Sequence, residues 1–393
     1  MKIAMVIKTA DGGRWTLPHL DELRDRGHEV VAVLPPGSEG RLRKALHDRG
    51  IDVVQSAFDF RFRLAPATVL GLVGLRGQLK ALDPDVLHYH LYASALACRI
   101  AALGWDVGKV HMVPGPLFLE SPLIRVMERL LCRLDDVVIG GSDYTARLYR
   151  GLGLPAGRVT AIPYGVNTER FAPPSVAYRA ASREAMCVED DTFVVCMVAY
   201  VYGPKRMVHR GRGIKGHDVL LAAWREFQHD RPDARLVMLG GGFGEAGVAH
   251  KRELLARFDV ARDDTIDWHE SVVDVRDCYA AADCSVSPSL SDNHGAAVEA
   301  SAMGVPSIVT DAGALPETIG PDSGWLVPKD NVQALTGALR EAYAAFHDGS
   351  LARRGALARA RTMRTFAEGS TAAAVADVLE RVAMAGDRRV HQR

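Results

Sequence analysis

The sequence predicts an α/β protein built as two successive halves, each a mainly parallel sheet covered by helices. Three observations carry that prediction. Short apolar runs of strand length alternate with longer amphipathic runs of helix length, which is the pattern of βαβ units. The alternation breaks at Ile162-Pro-Tyr-Gly-Val-Asn-Thr-Glu-Arg-Phe-Ala-Pro-Pro174 and then restarts. A chain of 393 residues also exceeds what one hydrophobic core usually supports, pointing to two domains of ~200 residues each.

In the first half, Lys2 to Val6 reads as a buried strand, followed by Thr9-Ala-Asp-Gly-Gly-Arg-Trp15 as a turn into a helix ending near Gly27. Gly12 and Gly13 allow a ligand close to the backbone, or serve as plain turn residues. His28 to Leu34 is the second strand, and Gly50-Ile-Asp-Val-Val54 leads into a third. Asp59-Phe-Arg-Phe-Arg-Leu64 and the helix after it fit an acceptor-binding lip, a membrane-surface patch, or a helix with a solvated basic face. Asp83-Pro-Asp-Val-Leu-His-Tyr-His-Leu91 enters a strand on which His88 and His90 share one face. With no third ligand nearby in sequence, this pair suits substrate contact or packing rather than a metal. Lys109 to Pro116 is another strand, ending in a Pro/Gly loop where open α/β sheets place ligands. In the run 123–133, Arg125, Arg129 and Arg133 form a solvated stripe opposite an expected Leu/Val/Met core face. Ser142 caps the next helix.

In the second half, Thr192 to Ala199 is an apolar strand. Between it and a helix from Gly216 lies a loop with five cations (Lys205, Arg206, Arg210, Arg212, Lys215) and no acid. A basic loop feeding a helix N-terminus offers charge, backbone donors and dipole to a diphosphate. Gly211 to Gly216 also matches G-x-G-x-x-G, but the match does not directly follow the strand, and no acid ends the next one. After the glycine loop Gly240–Gly242 comes the most informative stretch, Ser285-Val-Ser-Pro-Ser-Leu-Ser-Asp-Asn-His-Gly-Ala-Ala-Val-Glu-Ala300. It reads as a strand end, a polar loop and a helix start, with Asp292 and Glu299 two turns apart. Free N–H groups at the helix start suit a phosphate. A carboxylate one turn in suits the two hydroxyls of a ribose. The competing reading is a capped helix with a surface glutamate. The last helix spans roughly Thr371 to Ala385.

The bulk properties are those of an ordinary globular chain, with 48% hydrophobic and 24% charged residues. Lys+Arg and Asp+Glu are both 48, so nothing in the balance favours nucleic acid or an anionic membrane. Six cysteines without paired spacing point to a reduced cytosol. The N-terminal apolar run is too short for a signal peptide, and no run approaches the ~18–20 residues of a membrane span. A soluble cytoplasmic protein is expected.

These residues together resemble glycosyltransferase family 4. The resemblance runs through Gly12-Gly13, Pro84-Asp-Val-Leu-His-Tyr-His90, Ser142, Gly165-Val-Asn-Thr-Glu-Arg-Phe171, Lys215-Gly-His-Asp218 and the block from Ala282 to Glu317. It implies the GT-B fold, with two Rossmann-like domains facing across a cleft: residues 1–174 on the acceptor side, 175–370 for the donor, and a 371–393 helix crossing back to the first domain. It implies transfer of a sugar from a nucleotide diphosphate to an acceptor hydroxyl, with retained anomeric configuration and neither metal nor other cofactor. By resemblance, Lys215 with Lys205 or Arg206, and the backbone of Gly295 and Ala296, would bind the diphosphate. Glu299 would hold the ribose, and Asp292, Asn293, His294 and Gly295 the sugar. The catalytic set would be Lys215, Asp292 and Glu299. Gly12 and Gly13 would form the N-terminal loop, with His90, His111 and Gly115 on the acceptor side. The expected partners are a nucleotide sugar and a hydroxyl acceptor (glycan, lipid-linked sugar or small natural product), with weak peripheral membrane contact, in a monomer or homodimer. Three departures from the family pattern stand out. Asp292 replaces the first of two paired glutamates, with six rather than seven residues before Glu299. Ala199-Tyr200 replaces a Gly-Arg. Pro114 stands where many relatives carry a His. The alternatives are a non-catalytic nucleotide-sugar binder of the same fold, and a nicotinamide oxidoreductase resting on Gly211–Gly216 alone.

Overall fold

A computed structural model describes residues 1–391 apart from 11, 38, 205–207, 210, 230 and 232, with side chains up to 386. The expected phosphate ligands Lys205 and Arg206 therefore lie outside the described residues. Two compact units divide the chain: Met1–Gly165 with Glu368–Arg393, and Val166–Ala367.

The first unit strings together β1 (Lys2–Ile7), α1 (Leu17–Asp25), β2 (Glu29–Leu34), α2 (Arg41–His47), β3 (Asp52–Gln55), α3 (Pro66–Leu82), β4 (Val86–His90), α4 (Tyr92–Ala101), β5 (Gly108–Val113), α5 (Pro122–Leu131), β6 (Val137–Gly140), α6 (Asp143–Gly151) and β7 (Val159–Ala161). Its strands form one sheet in the order β3-β2-β1-β4-β5-β6-β7, every pairing parallel. A parallel sheet must bury both faces, and the side chains divide accordingly. Ile3, Met5 and Ile7 enter one core with helix α1, while Ala4 and Val6 enter another with α3 and α4. The strand order reverses between β1 and β4, so the loops after these two strands flank a switch point.

The second unit continues with α7 (Val176–Ala185), β8 (Phe193–Val198), β9 (Val201–Tyr202), α8 (His217–Gln228), β10 (Ala234–Leu239), β11 (Gly242–Phe243), α9 (Gly244–Arg257), β12 (Ile266–His269), α10 (Arg276–Ala281), β13 (Cys284–Ser287), α11 (Gly295–Ala302), β14 (Ser307–Thr310), β15 (Gly324–Val327), α12 (Val332–His347) and α13 (Ser350–Thr365). Its parallel sheet runs β12-β10-β8-β13-β14-β15, with the reversal between β8 and β13. The segment from Val166 belongs here rather than to the first half, because Val166 and Phe171 are buried in this unit's core. The chain then returns as α14 (Glu368–His391). Val375, Val378, Leu379 and Val382 fill the core of the first unit against α1 and the sheet. Gly165 makes that return tight: a Cβ there would lie 2.2 Å from the Cα of Glu368.

One expectation fails in the first unit. The Leu/Val/Met side of the 123–133 run does not face a core. Leu123, Val126 and Leu130 are more than 60% exposed, and the buried residue of α5 is Glu128. The cause is electrostatic. The Arg99 guanidinium, fully buried, donates to Glu128 Oε1 and Oε2 at 2.8 Å each and to Asp135 Oδ2 at 2.5 Å. Tyr149 Oη donates to Glu128 at 2.9 Å. An unpaired buried guanidinium is far costlier than exposed leucines, so the helix turns its acid inward and its apolar side outward. The three arginines of the stripe are exposed on the same helix and the turn after it, so cationic and apolar groups share the solvent. Helix α3 behaves likewise, with Val69, Leu70 and Val73 exposed.

Candidate functional site

In the second unit the switch point gathers the residues that matter. Gly216 caps α8 with a left-handed φ of 69°, and a Cβ there would sit 2.0 Å from the Pro288 carbonyl oxygen. Only glycine lets the start of α8 press against the loop leaving β13. A second tie, Leu290 N–H to Ile214 O at 2.8 Å, fixes the two loops together. Lys215 and Asp292, far apart in sequence, meet across this contact. Lys215 Nζ donates to both carboxylate oxygens of Asp292 at 2.7 Å. Ser289 Oγ (2.7 Å) and the Asn293 N–H (2.9 Å) also donate to Asp292, fixing the carboxylate. Burial works against the Lys215 ammonium, but Asp292 with Tyr202 more than offsets it and holds the pKa above the usual lysine value. An ammonium has three donors, so the pair can still offer a hydrogen to an anion.

Helix α11 starts at Gly295 with no side-chain cap. Its first N–H groups, those of Gly295 and Ala296 among them, and its positive dipole end are the kind of site that receives phosphate. One turn on, Glu299 is partly buried. Tyr279 Oη lies 3.2 Å from Glu299 Oε2 and 3.2 Å from the Ala296 carbonyl. Burial raises the Glu299 carboxyl to about 7, against the lowering pull of Tyr279 and Arg170. Tyr279 was not singled out from the sequence; it sits on α10, and no spacing ties it to Glu299. His294 is buried against Phe366, with its Nε2 3.4 Å from Glu317 Oε2, and Asn293 is half-exposed. Of the basic loop, Arg212 is already engaged by Asp218 at 2.7 Å and by Asp330. Lys215 is thus the loop cation brought to the helix starts among the described residues.

In the first unit, Gly13 takes a left-handed φ of 88° after β1, beside an exposed Gly12. His90 ends β4, and Gly115 lies in the loop after β5. His111 and His90 do not converge. Strand register pairs His111 with Tyr89, so His111 points to the sheet face opposite His90, where its Nδ1 meets Arg99 Nη2 at 3.1 Å. No third ligand lies near His88 and His90 in the sequence; the fold brings His19 from α1 to them.

Two units of parallel α/β type, each with loops at a switch point, match the architecture of GT-B glycosyltransferases. Solved structures agree over nearly the whole chain. A glycosyltransferase from Rickettsia africae superposes with a TM-score of 0.80 over 97% of this chain and 98% of its own, at 18% identity. Anabaena HepE in complex with UDP and glucose gives 0.79 over 97% and 99%, also at 18%. The pattern of the family described as Glycosyltransferase Family 4 matches residues 13–170, and that of glycosyl transferases group 1 matches 204–345. A D-inositol 3-phosphate glycosyltransferase of Xylanimonas cellulosilytica is 31% identical over 75% of this chain and 71% of its own length. A GDP-mannose-dependent alpha-(1-6)-phosphatidylinositol monomannoside mannosyltransferase of Mycolicibacterium smegmatis is 30% identical over 79% and 72%. The chain belongs to glycosyltransferase family 4. No helix among the described residues is long and apolar enough to cross a membrane.

Proposed function

We propose that the chain transfers a sugar from a nucleotide diphosphate donor to an acceptor hydroxyl with retention of configuration. The observation that carries the reading is the Lys215–Asp292 pair at 2.7 Å beside the starts of α8 and α11. Lys215 and the α11 N–H groups neutralise the charge that grows on the diphosphate as the glycosidic bond breaks. The acceptor's proton passes to the departing phosphate oxygen, so no protein nucleophile is required. Glu299, once ionised, accepts from the ribose hydroxyls, while Asp292 orients the sugar. The reading assigns the phosphate charge to these groups and needs no metal there.

The acceptor belongs to the same proposal. Exposed Leu123, Val126, Met127 and Leu130, interleaved with Arg125, Arg129 and Arg133, suit an anionic lipid surface, which favours a membrane-associated acceptor. A cytoplasmic location rests on six cysteines left unpaired, five of them buried and Cys187 exposed. Incubating the chain with UDP, GDP, dTDP and ADP sugars and lipid-linked or free acceptors, read by anomeric NMR, tests the reading. One donor class giving a retained linkage is expected; inversion would refute the retaining mechanism, and inert donors the whole reading.

A further inference from the structure

We propose that His19, His88 and His90 form a binding site for one divalent ion of the zinc type in the first unit. One ring nitrogen from each lies within 4.8 Å of the others, and all three residues are buried. Each ring keeps a nitrogen with no hydrogen-bond partner among the described residues: His19 Nδ1, His88 Nε2 and His90 Nε2. A buried polar atom without a partner is costly, so three such rings in one cluster call for a ligand.

Two of the rings hold a partner on the far nitrogen. His88 Nδ1 lies 3.3 Å from the Val110 carbonyl, which can only accept, so the proton sits on Nδ1. That leaves the lone pair on Nε2. His90 Nδ1 lies 3.2 Å from Tyr164 Oη, which accepts when the ring proton is on Nδ1 and so leaves the Nε2 lone pair free. Metal-bound histidines carry such outer partners on the far nitrogen. Burial holds His88 down to about 4 and His19 to about 3, the second helped by the neighbouring His88, so both are neutral imidazoles at physiological pH. Neutral imidazole is the protonation state that coordinates.

The donor set is three borderline nitrogens with no hard oxygen among them. That suits zinc or its neighbours in the first row, and excludes magnesium and calcium as good occupants. An ion at the usual distance draws its ligand atoms to about 3.4 Å apart, a small closure from the spacing seen. Three neutral ligands leave its charge to a fourth, supplied by hydroxide or a small anion. The consequence is mechanical. His19 lies on α1, just after the Gly12–Gly13 turn, and the other two lie on β4, so an ion would staple the glycine loop to the switch point of this sheet. His90 is also an expected acceptor-side residue, so the test reads metal retention and not activity.

The untagged chain is stripped with chelator, mixed with one equivalent of Zn2+ or Co2+, and passed through a desalting column. One retained ion per chain, a nitrogen-ligated cobalt spectrum and a rise in Tm are expected. His88→Ala and the ring-filling His19→Phe should each cut retention at least tenfold. If His88→Ala does not fold, His19→Phe decides alone. Loss of the ion from the native chain with Tm unmoved would overturn the proposal. So would equal retention by the His19 variant, or a thiolate-to-cobalt band that vanishes in Cys187→Ser.

Discussion

At Glu299 the chemistry of the donor becomes a pH dependence. Its carboxyl titrates at about 7 in the folded chain, above the ordinary 4.5. A ribose donates its hydroxyl hydrogens, so it prefers the ionised form. Nucleotide affinity should therefore rise with pH through 7, and Kd should be about tenfold weaker at pH 6 than at pH 8. In the same sense, this group's contribution to stability is full below 4.5 and fades as pH rises through 7, because the buried site favours the protonated form. Calorimetric Kd values from pH 5.5 to 8.5 check this, and Glu299→Gln should flatten the profile. Sequence spacing marked the Glu299 helix start and the Lys215 loop as places to look, since a glycine-bounded loop and a helix start are local features. It hid Tyr279 and the Lys215–Asp292 pair, which exist because Gly216 allows α8 to touch the Pro288 loop. It hid His19 for the same reason: nothing along α1 announces that β4 lies beneath it.

Helix α5 shows what periodicity can and cannot say. The pattern in 123–133 is helical and two-sided, and the structure keeps both sides. Which side faces inward was decided elsewhere, by Arg99 on α4 and Asp135 before β6. Removing the charge tests that account: Glu128→Gln should lose about 3–5 kcal/mol, because it leaves a buried guanidinium partly unpaired. Urea unfolding measures it. The outward side makes a second prediction. The native chain should co-sediment with vesicles containing phosphatidylglycerol and not with neutral ones. Val126→Glu with Leu130→Glu should reduce binding at least fivefold while leaving the fold intact.

At the scale of the molecule, strand and helix alternation with a Pro/Gly break predicted two α/β units, and the two parallel sheets follow that plan. The joints were less legible. The segment after Gly165 looks like a linker by composition, yet Val166 and Phe171 are core residues of the second unit. Apolar periodicity near the C-terminus marks α14 as a packed helix without saying which unit it covers. Since Val375, Val378, Leu379 and Val382 complete the core around α1, ending the chain at Ala367 should uncover that core. With each aliphatic side chain worth about 1.5–3 kcal/mol, the loss is about 6–12 kcal/mol, comparable with the ~5–15 kcal/mol stability of an ordinary domain. Circular dichroism melts of the truncated chain should show the first unit unfolded or lower in Tm by more than 10 °C.

On the proposed function, Lys215, fixed by Asp292 at the start of α8, holds the donor diphosphate. Calorimetric titration of the native chain and Lys215→Ala with the nucleotide diphosphate that the donor screen selects tests it most directly. A native Kd in the micromolar range and at least a tenfold weakening in Lys215→Ala, with the melting temperature preserved, is the expected result. Equal affinity in the two proteins would contradict it.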